Sequence, residues 1–187
     1  MVGPEIAGSK VNLRPLRDDD LRRRADWLND LEVAKLFTGF TPERACTSVD
    51  AERWRLSLEA DLAATVWAIE AEQSLHIGDV DLHDINRSER SAKLTILIGD
   101  KAFWNKGYGT DAVKALLGYA FTEMDLAKVI LKVYDFNERA IRCYEKCGFI
   151  RTGLNFSGFA PGPGEVYMIA TKDHFMATGS DAGTIRA

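Results

Sequence analysis

The sequence predicts one α/β domain with helices packed on a mixed sheet. Three observations lead there. Strand-like runs in the first half are arranged as hairpins, residues 112–124 switch to a 3.6-residue period, and short strands and helices alternate from there to about residue 171. At 187 residues, with 46% hydrophobic and 28% charged positions, the chain has the bulk for a single sizeable core.

Val11 to Leu16 reads as the first strand. Asp18, Asp19 and Asp20 then suit the start of a helix running through Trp27, where carboxylates accept from free N–H groups and complement the helix dipole. A second helix covers Val49 to Leu58. Thr65 to Glu70 and His76 to Leu82 have strand character, Gln73 and Ser74 forming the turn between them, and Ala92 to Ile98 adds a third strand. Ala112, Val113, Leu116, Leu117, Ala120, Phe121 and Met124 fall on one helical face. Lys128 to Tyr134 is a strand, with Val129, Leu131 and Val133 alternating against Lys128, Ile130 and Lys132. Glu138 to Lys146 is a short helix. Phe149 to Leu154 and Val166 to Thr171 are the last strands, separated by Gly158 to Gly164 with Pro161 and Pro163. Residues 1–9 and 176–187 lack periodicity and are expected to be flexible tails around a domain at 10–175.

The formal charge of -4 is spread in mixed signs, so no basic stripe suggests nucleic acid. No apolar run approaches the roughly 20 residues of a membrane span, and the N-terminus has no basic start followed by an apolar stretch. A cytoplasmic protein is expected. Cys46, Cys143 and Cys147 form no CxxC pair, and with three histidines in the chain no metal site is expected. Cys143 and Cys147, one helical turn apart, read as small residues packed beside a helix.

Two motifs carry chemistry. Asn105 to Thr110 (NKGYGT) lies between a strand and an amphipathic helix, where backbone N–H groups can face an anion and glycine lets a diphosphate approach. Lys101 and Lys106 add positive charge nearby. Taken alone, KGYG fits an ordinary tight turn equally well; the chain has neither GxxxxGK[ST] nor GxGxxG. In the second motif, Asn137, Ile141 and Tyr144 are spaced i, i+4, i+7 and share one face of a helix. An amide there can bond a pantetheine arm and a phenol can protonate a departing thiolate. Asn137 also suits helix capping, and Tyr144 also suits a buried aromatic.

In this order, NKGYGT and NERAIRCYEKCGF (Asn137 to Phe149) resemble the GNAT superfamily of acyl-CoA N-acyltransferases. IGDV (Ile77 to Val80) and LIGDKAFWNKGYGTDAV (Leu97 to Val113) look like its RimJ/RimL-type branch, whose members acetylate protein N-termini and small amines. The resemblance spans about Val11 to Phe175. It implies a GNAT-like mixed, mostly antiparallel sheet with splayed central strands flanked by helices, with acetyl-CoA as cosubstrate and no metal. It further implies that the backbone of Leu97, Ile98 and Gly99 pairs with pantetheine, a backbone N–H near Leu97 serving the oxyanion. Asn105, Lys106, Gly107, Tyr108, Gly109 and Thr110 match the pyrophosphate loop, Asn137 matches a contact to the CoA arm, and Tyr144 matches the general acid. Homodimerisation is a family-level expectation.

Two positions depart from many relatives: Trp104 at the head of the loop motif, and Lys93, where several carry an acid that can deprotonate the amine. Asp79, Asp81 and His83 share one strand face, and Asp81 and His83 are the replacement base candidates if that face looks into the cleft. A solvated face is the expectation for an acid so placed. In the family the acceptor site comes from the first two helices and the late hairpin, which here supply Trp27, Phe37, Phe40, Trp54, Phe156 and Phe159. The acceptor is a primary amine: a protein N-terminus, an amino sugar or a small amine. The acids Asp18 to Asp20, Asp26, Asp30 and Glu32 can gather at one end of the fold. Lys93 also motivates a different class, a catalytically inactive CoA-binding sensor or interaction module, and the glycine turn alone would fit a nucleotide-binding regulator.

Overall fold

A computed structural model describes residues 3–39, 43–154 and 162–178, with the backbone of 184–185. The described strands form one sheet in the order β7-β8-β6-β5-β4-β3-β2-β1-β9. These are β1 (Ile6–Ala7), β2 (Asn12–Arg14), β3 (Thr65–Ala71), β4 (Leu75–Asn86), β5 (Ser91–Ile98), β6 (Lys128–Tyr134), β7 (Ile150–Thr152), β8 (Glu165–Thr171) and β9 (Thr184–Ile185). The helices are α1 (Asp18–Asn29), α2 (Leu31–Thr38), α3 (Ser48–Ala60), α4 (Tyr108–Thr122), α5 (Glu138–Lys146) and α6 (Lys172–Ala177).

Every strand pair is antiparallel except β5 with β6. That parallel pair is short: Ser91, Ala92 and Lys93 face Lys128, Val129 and Ile130, and the pairing stops there. Beyond it the two strands diverge while β4 still holds β5 as far as Ile98 and β8 holds β6 as far as Tyr134. The result is a splayed cleft in the middle of an otherwise continuous sheet. Its inner edges are strand edges, whose peptide groups are open to a ligand.

One face of the sheet is the apolar core. Helix α4 buries Ala112, Val113, Leu116, Leu117, Ala120 and Phe121 against Val80, Leu82, Leu94, Val129 and Leu131, and Phe175 of α6 closes on Phe121 at 5.4 Å. Each such large side chain contributes on the order of 1.5–3 kcal/mol. The opposite face, under α1 and α3, is different. Leu21 and Ala25 meet Ala51 in a small apolar cluster, and below it lies a buried ionic network. Arg14 bonds Asp20 at 2.7 Å and Glu70 at 2.8 Å, while Arg24 bonds Asp79 at 2.5 Å and lies 3.4 Å over the Trp54 ring.

The structure departs from the expected termini. Ile6 is fully buried and β1 pairs with β2 and β9, so residues within 1–9 and 176–187 add strands to the sheet. The cause is a long-range clamp: the Asp111 carboxylate accepts from the backbone N–H groups of Ser9, Lys10 and Val11, and the Trp67 indole donates to the Pro4 carbonyl. Helix α6 also runs past residue 175. Helix α2 was not expected at all, although its signals are present: Asp30 accepts from Glu32 and Val33 at its start, and Gly39 ends it with φ 84°.

Candidate active site

The cleft between β5 and β6 opens into a cavity of about 580 Å³. Its walls are the diverging strands, the loop before α4, one face of α5, and α2 through Val33, Leu36, Phe37 and Thr38. Two hydrogen bonds hold α2 there: Tyr134 donates its hydroxyl to Thr38 O at 2.7 Å and Asn137 donates Nδ2 to Leu36 O at 3.2 Å.

The structure gathers Leu97, Ile98, Asn105, Gly107, Gly109, Thr110, Asn137 and Tyr144 in this cavity. The loop turns on Asn105 at φ 59° and Gly107 at φ 89°, left-handed backbone that a residue with Cβ adopts at a cost. Gly107 is also the N-cap of α4 and supplies no side-chain cap, so N–H groups of the first turn lack a side-chain acceptor. That is a favourable setting for a phosphate.

Gly99, Lys106 and Tyr108 lie outside the cavity wall. Gly99 donates its N–H to Ile77 O at 3.0 Å, and a Cβ on it would come within 2.0 Å of the Trp27 ring, so its glycine serves packing. Strand alternation then directs Leu97's peptide groups toward β4 and those of Ile96 and Ile98 toward the cleft, where Ile98 O accepts from the Trp104 indole at 2.7 Å. The donors facing the cleft are therefore the N–H groups of Ile96 and Ile98. Lys106 uses its carbonyl to accept from Lys10 Nζ at 3.0 Å. Tyr108 is buried with its hydroxyl on Glu72 at 3.1 Å. Lys101 is held in ion pairs by Asp30 and Glu32.

On α5, the Asn137 amide combines both readings of its position: Oδ1 accepts from Ala140 N as the cap, and the side chain still lines the cavity. Tyr144 is buried against Phe149, and among the described residues no hydrogen bond ties its hydroxyl. Burial pushes its phenol up, with the neighbouring Cys143 and Cys147 acting in the same direction, so the O–H stays protonated at neutral pH. Arg139, Arg142 and Lys146 join the wall at this end, with the Arg139 guanidinium 3.4 Å over the Trp104 ring. Their i, i+3, i+7 spacing on α5 was a readable signal.

Cys143 also lines the cavity, so it is more than packing beside a helix. The Cys147 thiol lies one turn on, donating to Thr110 O at 3.5 Å, and the Thr110 hydroxyl lies 3.3 Å from Cys143; these neighbours push the Cys143 thiol down. Alkylation at pH 7 is therefore expected to find Cys143 before Cys46, whose thiol burial raises. Mass-spectrometric mapping after a short iodoacetamide pulse, with and without CoA, checks this: CoA in the cleft should protect Cys143.

On the face that carries α1 to α3, the register aligns Asp79 with Leu97, Asp81 with Thr95, and His83 with Lys93. Asp81 is buried, against the expectation of a solvated acid, because α1 and α3 cover this face. Burial pushes its carboxyl up and the His83 contact opposes the shift. Its Oδ1 meets His83 Nδ1 at 2.7 Å, and His83 lines the cavity, whereas Asp81 does not. Of the expected aromatics, Phe37 lines the cavity. Trp27 packs on His76 and Trp54 on Arg24, while Phe40, Phe156 and Phe159 lie outside the described residues. Among the described residues no helix is long and apolar enough to cross a membrane.

The family described as acetyltransferase (GNAT) domain matches residues 10–150. Spermidine N(1)-acetyltransferase of Vibrio cholerae is 31% identical over 147 residues, covering 78% of this chain and 82% of the relative. Aminoglycoside N(6')-acetyltransferase type 1 of Klebsiella pneumoniae is 26% identical over 185 residues, covering 94% and 90%. The crystal structure of the Vibrio cholerae spermidine N-acetyltransferase in complex with CoA and spermine matches with a TM-score of 0.74 at 27% identity, covering 90% of this chain and 99% of that one.

Proposed function

The chain belongs to the acetyltransferase (GNAT) family and is an acetyl-CoA-dependent N-acetyltransferase acting on an amine, and on that premise we propose how its own residues divide the work. The carrying observation is the cleft itself: a strand edge, an uncapped helix start and a buried tyrosine line one cavity. Pantetheine lies along β5 and accepts from and donates to its cleft-facing peptide groups. The pyrophosphate sits on the Asn105 to Thr110 turn, with the cations of α5 close by.

The acceptor reaches the thioester from the α1–α3 face. His83, its ring held by buried Asp81, takes the proton from the amine directly or through water, in the manner of a carboxylate-oriented imidazole. The amine nitrogen attacks the acetyl carbonyl, and a cleft-facing N–H of Ile96 or Ile98 receives the developing oxyanion. The C–S bond then breaks, Tyr144 gives its proton to the CoA thiolate, and solvent reprotonates the phenolate. No acetyl-enzyme forms. The likeness of the Leu97 to Val113 segment to the RimJ/RimL-type branch supports keeping protein N-termini beside amino sugars and small amines as acceptors. Homodimerisation and a cytoplasmic location belong to the same reading.

Thiol release from acetyl-CoA with an amine panel tests the reading. His83→Gln is expected to lower kcat about 10²-fold, with CoA affinity held. Turnover in the variant equal to the parent's removes His83 from the base role. CoA binding with no release on any amine favours the sensor reading instead.

A further inference from the structure

Helix α2 borders the space from which the acceptor must approach, and it is a fixed wall. Tyr134 and Asn137 bond its carbonyls at Thr38 and Leu36, and Asp30 and Glu32 at its start hold Lys101. Gly39 ends it so close to the Tyr134 ring that an added Cβ would stand 2.2 Å from it. These anchors lie on both sides of the splay, Lys101 beyond β5 and Tyr134 at the end of β6, so α2 spans the opening. What it turns to the cavity is mainly apolar: Val33, Leu36 and Phe37.

Phe37 reaches the base end. The Arg24 guanidinium lies 5.7 Å from its ring and bonds Asp79, and Asp79 shares a face of β4 with Asp81, the carboxylate that orients His83. The charged groups of this end are matched in pairs: Arg24 with Asp79, His83 with Asp81, Lys93 with Asp84 and Lys132 with Glu165. The two lysines hold the carboxyls of Asp84 and Glu165 below their usual range. Among the described residues lining the cavity there is no aspartate or glutamate, and the segments 40–42 and 155–161 contain no charged residue in sequence. A second charge on the acceptor, of either sign, would therefore leave water for a wall whose described charges are already compensated.

We infer that the acceptor is a small amine on an uncharged apolar body, alkyl or aryl, which packs against Leu36 and Phe37 while its nitrogen meets the thioester beside His83. This rests on the acetyl-transfer reading above and narrows it. Two effects act together: burial of the body against α2 favours the apolar amine, and uncompensated desolvation disfavours an analogue with a second charge. Because α2 is anchored at both ends, the wall stands before the acceptor arrives, and little ordering cost is set against the contact.

The test uses the full chain with acetyl-CoA and measures kcat/KM for hexylamine, hexamethylenediamine and ε-aminocaproate, which share a chain length and differ in the far group, with spermidine as a polycationic control. Hexylamine is expected to exceed each charged analogue about tenfold or more. Phe37→Ala is expected to raise the hexylamine KM about tenfold with CoA affinity held, and Phe37→Leu to keep the preference. Phe37→Glu should turn the preference toward hexamethylenediamine, a gain that damage to the fold cannot produce. Equal or better turnover of hexamethylenediamine, ε-aminocaproate or spermidine overturns the inference and leaves acetyl transfer standing. So does a hexylamine preference that survives in both Phe37→Ala and Phe37→Glu. CoA binding with no thiol release on any amine overturns the acetyl-transfer reading itself.

Discussion

Tyr144→Phe is expected to lower kcat about 10²-fold or more while leaving CoA affinity and thermal stability near the parent's. The change removes one oxygen and keeps the ring on Phe149. Among the described residues that oxygen has no hydrogen-bond partner, so its loss breaks no structural contact. A tyrosine serving only packing would show the opposite pattern, unchanged kcat with altered melting. Rapid-quench or thiol-release kinetics with calorimetric CoA titration measure both quantities, and full turnover in the variant ends the general-acid assignment. The upward push on the phenol matters here. A group that remains protonated through neutral pH supplies a proton at the moment the thiolate leaves.

Arg24→Ala is expected to cost roughly 3–5 kcal/mol, because it strands a buried carboxylate. Asp79 is 2% exposed and Arg24 is 5% exposed, so water cannot replace the guanidinium. His76 Nε2 at 2.9 Å would be the remaining partner of Asp79. For a domain of this size the melting temperature should fall by about 10 °C. Arg24→Lys, which keeps the charge but loses the planar stack on Trp54, should fall between. A melting curve unchanged in Arg24→Ala would mean that the network is dispensable. Activity should suffer with stability, since Asp79 lies beside Leu97 in the register and the network ties α1 to β4 there.

Most of the elements were legible in the residues. Lys128–Tyr134 and Glu138–Lys146 appear with the bounds their periodicity implied, and the other expected strands are present within a few residues. Local pattern suffices where one face is apolar and the other polar. It did not suffice for α2, an eight-residue helix too short to show a clear period and marked by its two caps. Nor did it suffice for β1, a two-residue strand made by the distant Asp111 clamp.

The donor half of the site was similarly open to sequence reasoning, because a glycine turn and an Asn/Tyr helix face are local arrangements. The acceptor half depends on which strand faces and loops meet in space. Asp81 and His83 share a face by simple alternation, yet whether that face is wet or buried is set by α1 and α3 lying over it.

By itself, then, the sequence determined the order of elements, the phosphate-ready turn and the helix that presents Asn137 and Tyr144. Only the tertiary structure decided that β5 and β6 part after three paired residues, that Gly99 serves Trp27 rather than the cleft, and that Asp81 is buried beside the cavity-lining His83. The physical reason is range. Caps, turns and periodicity act over a few residues, whereas burial, ion pairing and strand divergence are properties of segments brought together from across the chain.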